Sequence, residues 1–393
     1  MLSVGASIMN KKINDELLDK KPYRIAQIIR KLGDGGIESV VYNYYNTMDH
    51  DTFAFDVFYH SDTISKPSKE LIDAGVRFYE IPPYQKDLLG YISSLRRIFR
   101  DNKYLIVHSN MNTISVFSLY AAWKEQIPIR IIHNHNVPGG NEVFRNAVKY
   151  LLRPFGGLFA TDFFACSEKA GRWMFTTKYD KGLVKVIPNA IDFSRFRDVS
   201  SDEIINLKKQ LGIEGKKVIG HVGRYTYAKN HRFLIDIIRS IRQKNPEFVL
   251  LLVGDGELND EMNKWIIDKH LEDNVIQTGW VNKPEIYYNA MDVFVFPSLY
   301  EGFGMAVIEA QASGIPCIVS EAIPDEARIS KEYFKLDLNA GIDEWVDAIT
   351  SCCTKKNVLT IDSLNFDIYK CAPELGRYYL SRIKDVRRTW EKG

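Results

Sequence analysis

Two glutamates eight positions apart mark the stretch "PSLYEGFGMAVIEAQASGIPCIVS", which runs from Pro297 to Ser320. Its second half predicts a helix of small and apolar residues followed by an apolar strand, and Glu309 lies inside that helix. Removing an unpaired carboxylate from water costs several kcal/mol, which is comparable to the stability of a whole domain. Either a lysine or arginine therefore neutralises Glu309, or a ligand with hydroxyl donors, such as a ribose diol, binds there.

The second glutamate, Glu301, lies in the loop before the same helix. The sequence "DVFVFPS" predicts a strand, "LYEGFG" its loop, and we expect the helix to begin near Phe303. The N–H groups of Phe303, Gly304 and Met305 are then donors that the helix itself leaves unpaired. This loop thus offers a carboxylate and several free donors just after a strand.

Two cations follow another predicted strand in "VGRYTYAKNH". Arg224 comes directly after the strand, and Lys229 comes five residues later, before a helix. Such a pair can bind a diphosphate, the arginine through its planar fork and the lysine as a point charge, and can replace a divalent metal in neutralising it. The alternative is a pair of solvated charges.

The glycine-rich loop "GDGG", Gly33–Gly36, follows the first strand and opens a helix. Glycines such as Gly35 and Gly36 let the backbone approach a ligand, and a helix N-terminus favours an anion. The loop is not the G-x-G-x-x-G dinucleotide motif, so hydride transfer is not supported. A loop that only turns the chain is the alternative.

Histidines end two further predicted strands. His133 in "RIIHNHN" and His108 in "VHSN" occupy these ends, and His135 lies close by. Two strand-end histidines on one edge of a sheet indicate a functional role about as strongly as a structural, hydrogen-bonded one.

Short apolar runs alternate with amphipathic segments along the whole chain, which predicts parallel βαβ units. We expect two doubly wound, Rossmann-like domains facing each other across a cleft, an N-terminal one over residues 1–197 and a C-terminal one over 198–375. A helix at about 376–393 could pack back on the first domain. Ligands of such sheets bind beyond the carboxyl ends of the strands, where the residues described above lie.

The composition favours a globular cytoplasmic protein. The 393 residues suffice for two domains, 45% of them are hydrophobic and 26% charged, and a net charge of +2 gives no attraction to nucleic acid. Five cysteines without C-x-x-C spacing suit a reducing compartment. No secretory signal and no membrane span are expected.

Two segments with apolar and basic residues at helical spacing are compatible with a peripheral membrane contact: Tyr91–Lys103 and Val143–Phe159. Helices of this composition lie on anionic lipid. A core-facing stripe with solvated cations is the equally good alternative.

Taken together, these motifs resemble those of one protein family. The stretch "FPSLYEGFGMAVIEAQASGIPCIVSE" resembles the Glu-(seven residues)-Glu signature of the retaining family 4 glycosyltransferases, which have the GT-B fold. The likeness continues in "DGGIESVVYNYY", "VIPNAIDFSRF" and "VGRYTYAKN", and so covers nearly the whole chain. It is closest to bacterial capsular and exopolysaccharide transferases; alanine stands at Ala190, where many members have glycine.

The resemblance implies a role for each site residue. Arg224 and Lys229 would bind the nucleotide diphosphate, Gly36 would lie beside its β-phosphate, and Glu309 would bind the ribose. Glu301, with the Phe303–Met305 backbone, would bind the donor sugar, and His133 would hydrogen-bond that sugar near the reacting centre.

The resemblance also implies a reaction: a hexosyl group passes from a nucleotide sugar to a hydroxyl of a glycan or lipid-linked acceptor, with retention by front-face substitution. Uridine diphosphate is the preferred carrier because it is frequent in the family, and neither metal nor cofactor is expected. The sequence Asp49-His50-Asp51 precedes a strand and predicts a polar turn. Two alternatives remain, a nucleotide-sugar 2-epimerase and a catalytically silent nucleotide-sugar-binding subunit.

Overall fold

The structure is a computed structural model that describes residues 17–33, 36–63, 65–137, 143–353, 359 and 361–392. It divides into two compact units. Within the described residues, unit 1 runs up to Ala190 and resumes at Ile368, and unit 2 runs from Ile191 to Asp367. Each unit has its own sheet and its own hydrophobic core.

Unit 1 is built on a parallel sheet, and the strands found among its described residues are β1 Tyr23–Ile28, β2 Phe53–His60, β3 Arg77–Ile81, β4 Ile106–Ser109, β5 Ile129–Asn134, β6 Asp162–Ala165 and β7 Val184–Val186. They are ordered β3-β2-β1-β4-β5-β6-β7. The connecting helices are α1 Ile37–Thr47, α2 Lys69–Asp73, α3 Leu88–Asn102, α4 Ser115–Lys124, α5 Val143–Gly156 and α6 Glu168–Asp180. Every residue of β2 and β4 is buried, as expected for strands covered on both faces.

Unit 2 repeats this architecture with a smaller sheet. Its described strands are β8 Lys217–Val222, β9 Phe248–Val253, β10 Val275–Gln277, β11 Val293–Phe296, β12 Cys317–Ser320 and β13 Tyr333–Leu336, and all of them pair in parallel. Their order is β10-β9-β8-β11-β12-β13. The helices are α7 Phe193–Arg197, α8 Ser201–Gln210, α9 His231–Arg242, α10 Asn259–Asp268, α11 Pro284–Asn289, α12 Met305–Ala312 and α13 Ile342–Cys352.

The strand order reverses direction once in each sheet. In unit 1 the chain leaves β1 toward β2 and returns to β4 on its other side, and in unit 2 β8 and β11 have the same relation. Such a reversal leaves a crevice at the carboxyl ends of the two strands, which is where doubly wound sheets bind ligands. The predicted doubly wound architecture is therefore confirmed for each unit.

The last helix, α14 Ile368–Lys392, belongs to unit 1 and packs against α1. Gly376 allows the helix to approach the sheet, since a Cβ there would lie 3.2 Å from the Phe53 ring. Tyr378 donates a hydrogen bond of 2.5 Å to the buried Asp162, which also accepts one of 2.6 Å from Arg382 Nε. The C-terminus of the chain is thereby fixed to the N-terminal sheet.

The sequence Asp49-His50-Asp51 forms a turn between α1 and β2, as predicted. Asp49 accepts hydrogen bonds from the Thr52 hydroxyl and the Asp51 amide, and His50 stacks on Tyr45. In the described part of the chain, no helix is both long enough and apolar enough to cross a membrane.

Candidate active site

The loops that follow β8 and β11 carry the predicted cations and glutamates and are joined to each other. The Leu299 amide donates to the Ala228 carbonyl at 2.8 Å, which links the two loops through the backbone. Lys229 Nζ forms an ion pair with Glu301 Oε2, and both side chains are about four-fifths buried. The Lys229 ammonium also lies 4.5 Å from the centre of the Phe296 ring. The structure thus brings together two residues 72 positions apart.

Arg224 lies two residues beyond β8 and is exposed, on a loop whose path is set by two glycines. A Cβ on Gly254 would lie 2.1 Å from the Gly223 carbonyl oxygen, and a Cβ on Gly256 would lie 2.4 Å from that of Tyr225. Backbone hydrogen bonds from Gly223 to Val253 and from Tyr225 to Asp255 hold the same contact. Only glycine at these positions lets the loop after β9 support the arginine loop so closely.

The N-terminus of α12 lies beside Glu301 and begins at a glycine. Gly304 has φ +88°, a left-handed conformation that glycine adopts without strain, and it caps the helix without a side-chain hydrogen bond. Phe303 before it is buried and packs on Phe366 with ring centres 5.3 Å apart. Met305, half-buried, begins the helix. The first-turn N–H groups therefore point out of the helix beside Glu301.

Glu309, half-buried on α12, has a tyrosine as its partner. The Tyr288 hydroxyl donates to Glu309 Oε2 at 2.8 Å. Among the described residues no lysine, arginine or histidine lies within ion-pair distance of Glu309, and the nearby Arg195 pairs with Glu285 at 2.9 Å. Burial raises the pKa of Glu309 to about 7, although the Tyr288 hydrogen bond and Arg195 oppose this rise. The described residues thus place no cation in contact with this carboxylate, and the binding of a ligand with hydroxyl donors there stays a prediction.

In unit 1 the glycine loop precedes α1. Gly36 caps the helix, with φ +34°, and is exposed with open space around it. Gly35 lies outside the described residues. The Gly33 amide donates to Glu38 Oε2 at 2.5 Å, which ties the start of the loop to the first turn of the helix.

His133, at the end of β5, is buried among other polar groups. Its Nδ1 lies 3.1 Å from His108 Nε2, and its ring centre lies 3.9 Å from that of His135. Burial, followed by the neighbouring imidazoles, lowers the pKa of His133 well below its ordinary value. This histidine is therefore neutral, and its Nε2 has no hydrogen-bond partner among the described residues.

Comparison with known proteins assigns these units to a family. Residues 34–195 match the family described as Glycosyltransferase Family 4, and residues 203–357 match the family Glycosyl transferases group 1. A putative glycosyltransferase, EpsF of Bacillus subtilis, is 30% identical over 382 residues, which is 93% of this chain and 98% of EpsF. The chain belongs to the family 4 glycosyltransferases.

Other glycosyltransferases are also similar over most of their length. A UDP-Gal:alpha-D-GlcNAc-diphosphoundecaprenol alpha-1,3-galactosyltransferase of Escherichia coli is 28% identical over 81% of this chain and 87% of its own length. The crystal structure of Anabaena HepE in complex with UDP and glucose superposes with a TM-score of 0.76 at 20% identity, covering 91% of this chain and all of HepE. The predicted GT-B fold class and the enzyme class are thus confirmed.

Several residues that shape this glycosyltransferase site were missed in the sequence. Tyr288, the partner of Glu309, stands one helix earlier, and Arg195 and Glu285 form the ion pair beside it. No sequence pattern indicates these contacts, because they depend on how α7, α11 and α12 pack. Gly254 and Gly256 could have been found, since "GDGE" directly follows a fully apolar strand, as a glycine-rich ligand loop does.

Proposed function

We propose that this glycosyltransferase moves a hexosyl group from a nucleotide sugar, preferably UDP-linked, to a hydroxyl of a glycan or lipid-linked acceptor in polysaccharide biosynthesis, with retention at the anomeric carbon. The observation that carries the proposal is Glu309, a half-buried carboxylate to which, among the described residues, a tyrosine donates and no cation is bonded. Vicinal ribose hydroxyls would supply the missing donors.

The diphosphate of the donor would bind at the edge formed by β8 and β11. Arg224 would contact it through its guanidinium, Lys229 through its ammonium, and the N–H groups of Phe303 to Met305 from the N-terminus of α12. Lys229 is already paired with Glu301, so binding would place the phosphate negative charge beside a preformed, partly desolvated cation. Two cations and a helix N-terminus can stabilise a leaving diphosphate, so we propose that no metal is required.

Retention follows in this proposal from front-face substitution. The bond between the anomeric carbon and the β-phosphate oxygen breaks, the acceptor oxygen forms its bond on the same face, and the acceptor proton passes to the departing phosphate oxygen. Glu301 would accept a hydrogen bond from a sugar hydroxyl and would not act as a nucleophile. Its carboxylate is already bound by Lys229 and by the Gly302 amide at 3.2 Å. His133 would donate a hydrogen bond to the transferred sugar, and Gly36 would contact the β-phosphate.

The substrates of similar proteins support the proposed substrate classes. The galactosyltransferase of Escherichia coli is named for a UDP-sugar donor and a diphosphoundecaprenol acceptor, and HepE was crystallised with UDP. Exposed apolar side chains on and after α5, Tyr150, Leu151, Phe155 and Leu158, would favour contact with an anionic membrane from the cytoplasmic side.

Saturation-transfer NMR with UDP-, GDP- and ADP-sugars in excess EDTA tests the donor. We expect signals on ribose and sugar protons of a UDP-sugar, and their loss in Glu309→Ala. Binding only when a divalent metal is restored would contradict metal independence, and silence from folded protein would contradict the donor site. The anomeric configuration of the product, read from its proton coupling, decides retention, and flotation with anionic liposomes decides membrane contact.

A further inference from the structure

A continuous chain of buried polar side chains crosses unit 1 and ends on His133. Its members come from separate elements: Gln27 from β1, His108 from β4, Asn110 from the residue after β4, and Tyr379 from α14. All of these side chains are buried. Polar groups are rarely carried this deep into a core unless each is satisfied, so their bonding pattern is informative.

The distances define the order of the chain. The Tyr379 hydroxyl lies 2.6 Å from His108 Nδ1, and His108 Nε2 lies 3.1 Å from His133 Nδ1. On its other side, the Tyr379 oxygen accepts from Gln27 Nε2 at 3.4 Å, and Gln27 Oε1 accepts from Asn110 Nδ2 at 3.0 Å. The chain therefore runs without a break from an amide to the strand-end histidine.

The directions of these hydrogen bonds indicate which ring nitrogen of each histidine carries its proton. The Tyr379 oxygen accepts from Gln27, and its other partner among the described residues is His108 Nδ1, so its single proton has an acceptor there. Burial lowers the pKa of His108 to about 3, so each imidazole of the pair is neutral and carries one proton. His108 then has its proton on Nε2 and donates it to His133 Nδ1, which leaves the proton of His133 on Nε2.

The free end of this series of hydrogen bonds is His133 Nε2. His133 Nε2 is buried and has no hydrogen-bond partner in the described part of the protein, which marks it as a donor awaiting an acceptor. The backbone of Ile187 opposes the lowering of the His133 pKa, but it does not determine which ring nitrogen carries the proton. Turning over the amides of Gln27 and Asn110 would give the reverse arrangement, with a bare Nε2, and the ring-nitrogen spectra distinguish the two.

We propose that Tyr379, on the C-terminal helix, is a positioning residue that acts through His108 to hold His133 in the tautomer protonated at Nε2, ready to donate a hydrogen bond to a sugar oxygen. The part concerning the sugar rests on the proposed function, whereas the tautomer does not. The last helix thereby has a role in the reaction, although it lies far in the sequence from every motif.

The tautomer can be read directly from histidine ring nitrogens. Long-range proton–nitrogen spectra of the full chain labelled with 15N-histidine, with His133→Asn to assign the signal, should show His133 protonated at Nε2 at neutral pH. A proton on Nδ1 would overturn the proposal, whatever the activity of the protein. This measurement needs no substrate, so its failure is distinguishable from a failure of donor binding.

Tyr379→Phe removes the hydroxyl and leaves the ring in place. Without that donor the two proton arrangements of the His108–His133 pair become comparable, so we expect the two ring-nitrogen shifts of His133 to move toward each other. With the donor identified, kcat should fall about two- to tenfold with little change in the donor KM. Tyr378→Phe is the matched control, because the Tyr378 hydroxyl binds Asp162, which does not belong to this series of hydrogen-bonded side chains. Equal spectra for the Tyr379 variant and the wild type would overturn the role of Tyr379.

Discussion

Replacing Glu309 by glutamine tests how this carboxylate affects the stability of unit 2, independently of its ligand binding. Burial raises the pKa of this carboxyl from its ordinary 4.5 to about 7. Between these two pH values the folded protein holds a proton that the unfolded chain has released, so stability falls as pH rises through this window. The full rise in pKa corresponds to about 3 kcal/mol, and because Glu309 is only half-buried we expect about 2 to 3 kcal/mol.

Glutamine keeps an acceptor for the Tyr288 hydroxyl but cannot ionise. Its buried amide N–H groups cost about 1 to 3 kcal/mol at every pH. We therefore expect Glu309→Gln to be less stable than wild type at about pH 5 and equally or more stable at about pH 8, a relative change of about 2 to 3 kcal/mol. Urea unfolding of both proteins at a series of pH values measures it, since the titration of all other groups cancels in the difference.

The control is Glu214→Gln, which changes an exposed glutamate of the same unit and should alter stability by less than about 0.5 kcal/mol at any pH. A Glu309→Gln difference that did not vary with pH would refute the reasoning, because it would mean that the carboxylate is already stabilised in its charged form. The same titration predicts that nucleotide binding near neutral pH releases a proton from Glu309, and calorimetry in buffers of different ionisation enthalpy would detect it.

Three further predictions concern other parts of the site. Lys229→Met should weaken UDP binding at least about tenfold by isothermal calorimetry, since it removes a charge-assisted contact worth about 1.5 to 3 kcal/mol, whereas Lys216→Met on the exposed surface should not. Gly256→Ala should cost about 1 to 3 kcal/mol in urea unfolding and also weaken UDP binding, because its Cβ would collide with the Tyr225 backbone; unchanged values would refute the support given to the Arg224 loop. Acidification from pH 6.5 to about 4 should destabilise unit 1, because His108 is protonated in the unfolded chain and stays neutral in the folded protein. The substitution His108→Gln should make the stability of the protein depend less on pH in this range.

Most of the strands could be predicted from the sequence because they are runs of mainly apolar residues. The runs "FVLLLV" and "FAFDVFYH" predict buried strands. The residues that follow such strands then lie at the end of the sheet where ligands bind. The strand β13, "YFKL", was missed. It is an edge strand with a half-buried lysine, so it lacks the continuous apolar run that identifies its neighbours.

The partners of the site residues could not be predicted in the same way. Glu301 and Lys229 carry opposite charges near two strand ends, but only the adjacency of β8 and β11 in the sheet makes them a pair. Tyr379 lies 271 residues from His108, and nothing in its helix distinguishes it from Tyr378. Motifs indicate which side chains can do chemistry, whereas the fold determines which hydrogen bonds hold them.

The structural carboxylates of unit 1 give the strongest reason to read Glu309 as a ligand-binding group. Asp56 is buried and binds both the Tyr104 hydroxyl, at 2.5 Å, and Arg24 Nε, at 2.6 Å. Asp162 repeats the arrangement with one tyrosine and one arginine. Glu309 has the tyrosine but no bonded arginine, although Arg195 is near enough to have been recruited and pairs with Glu285 instead. Each of the two fully buried carboxylates described in unit 1 thus has a cation, whereas Glu309 accepts from a tyrosine alone among the described residues, and its other lone pairs can accept from the hydroxyls of a ligand.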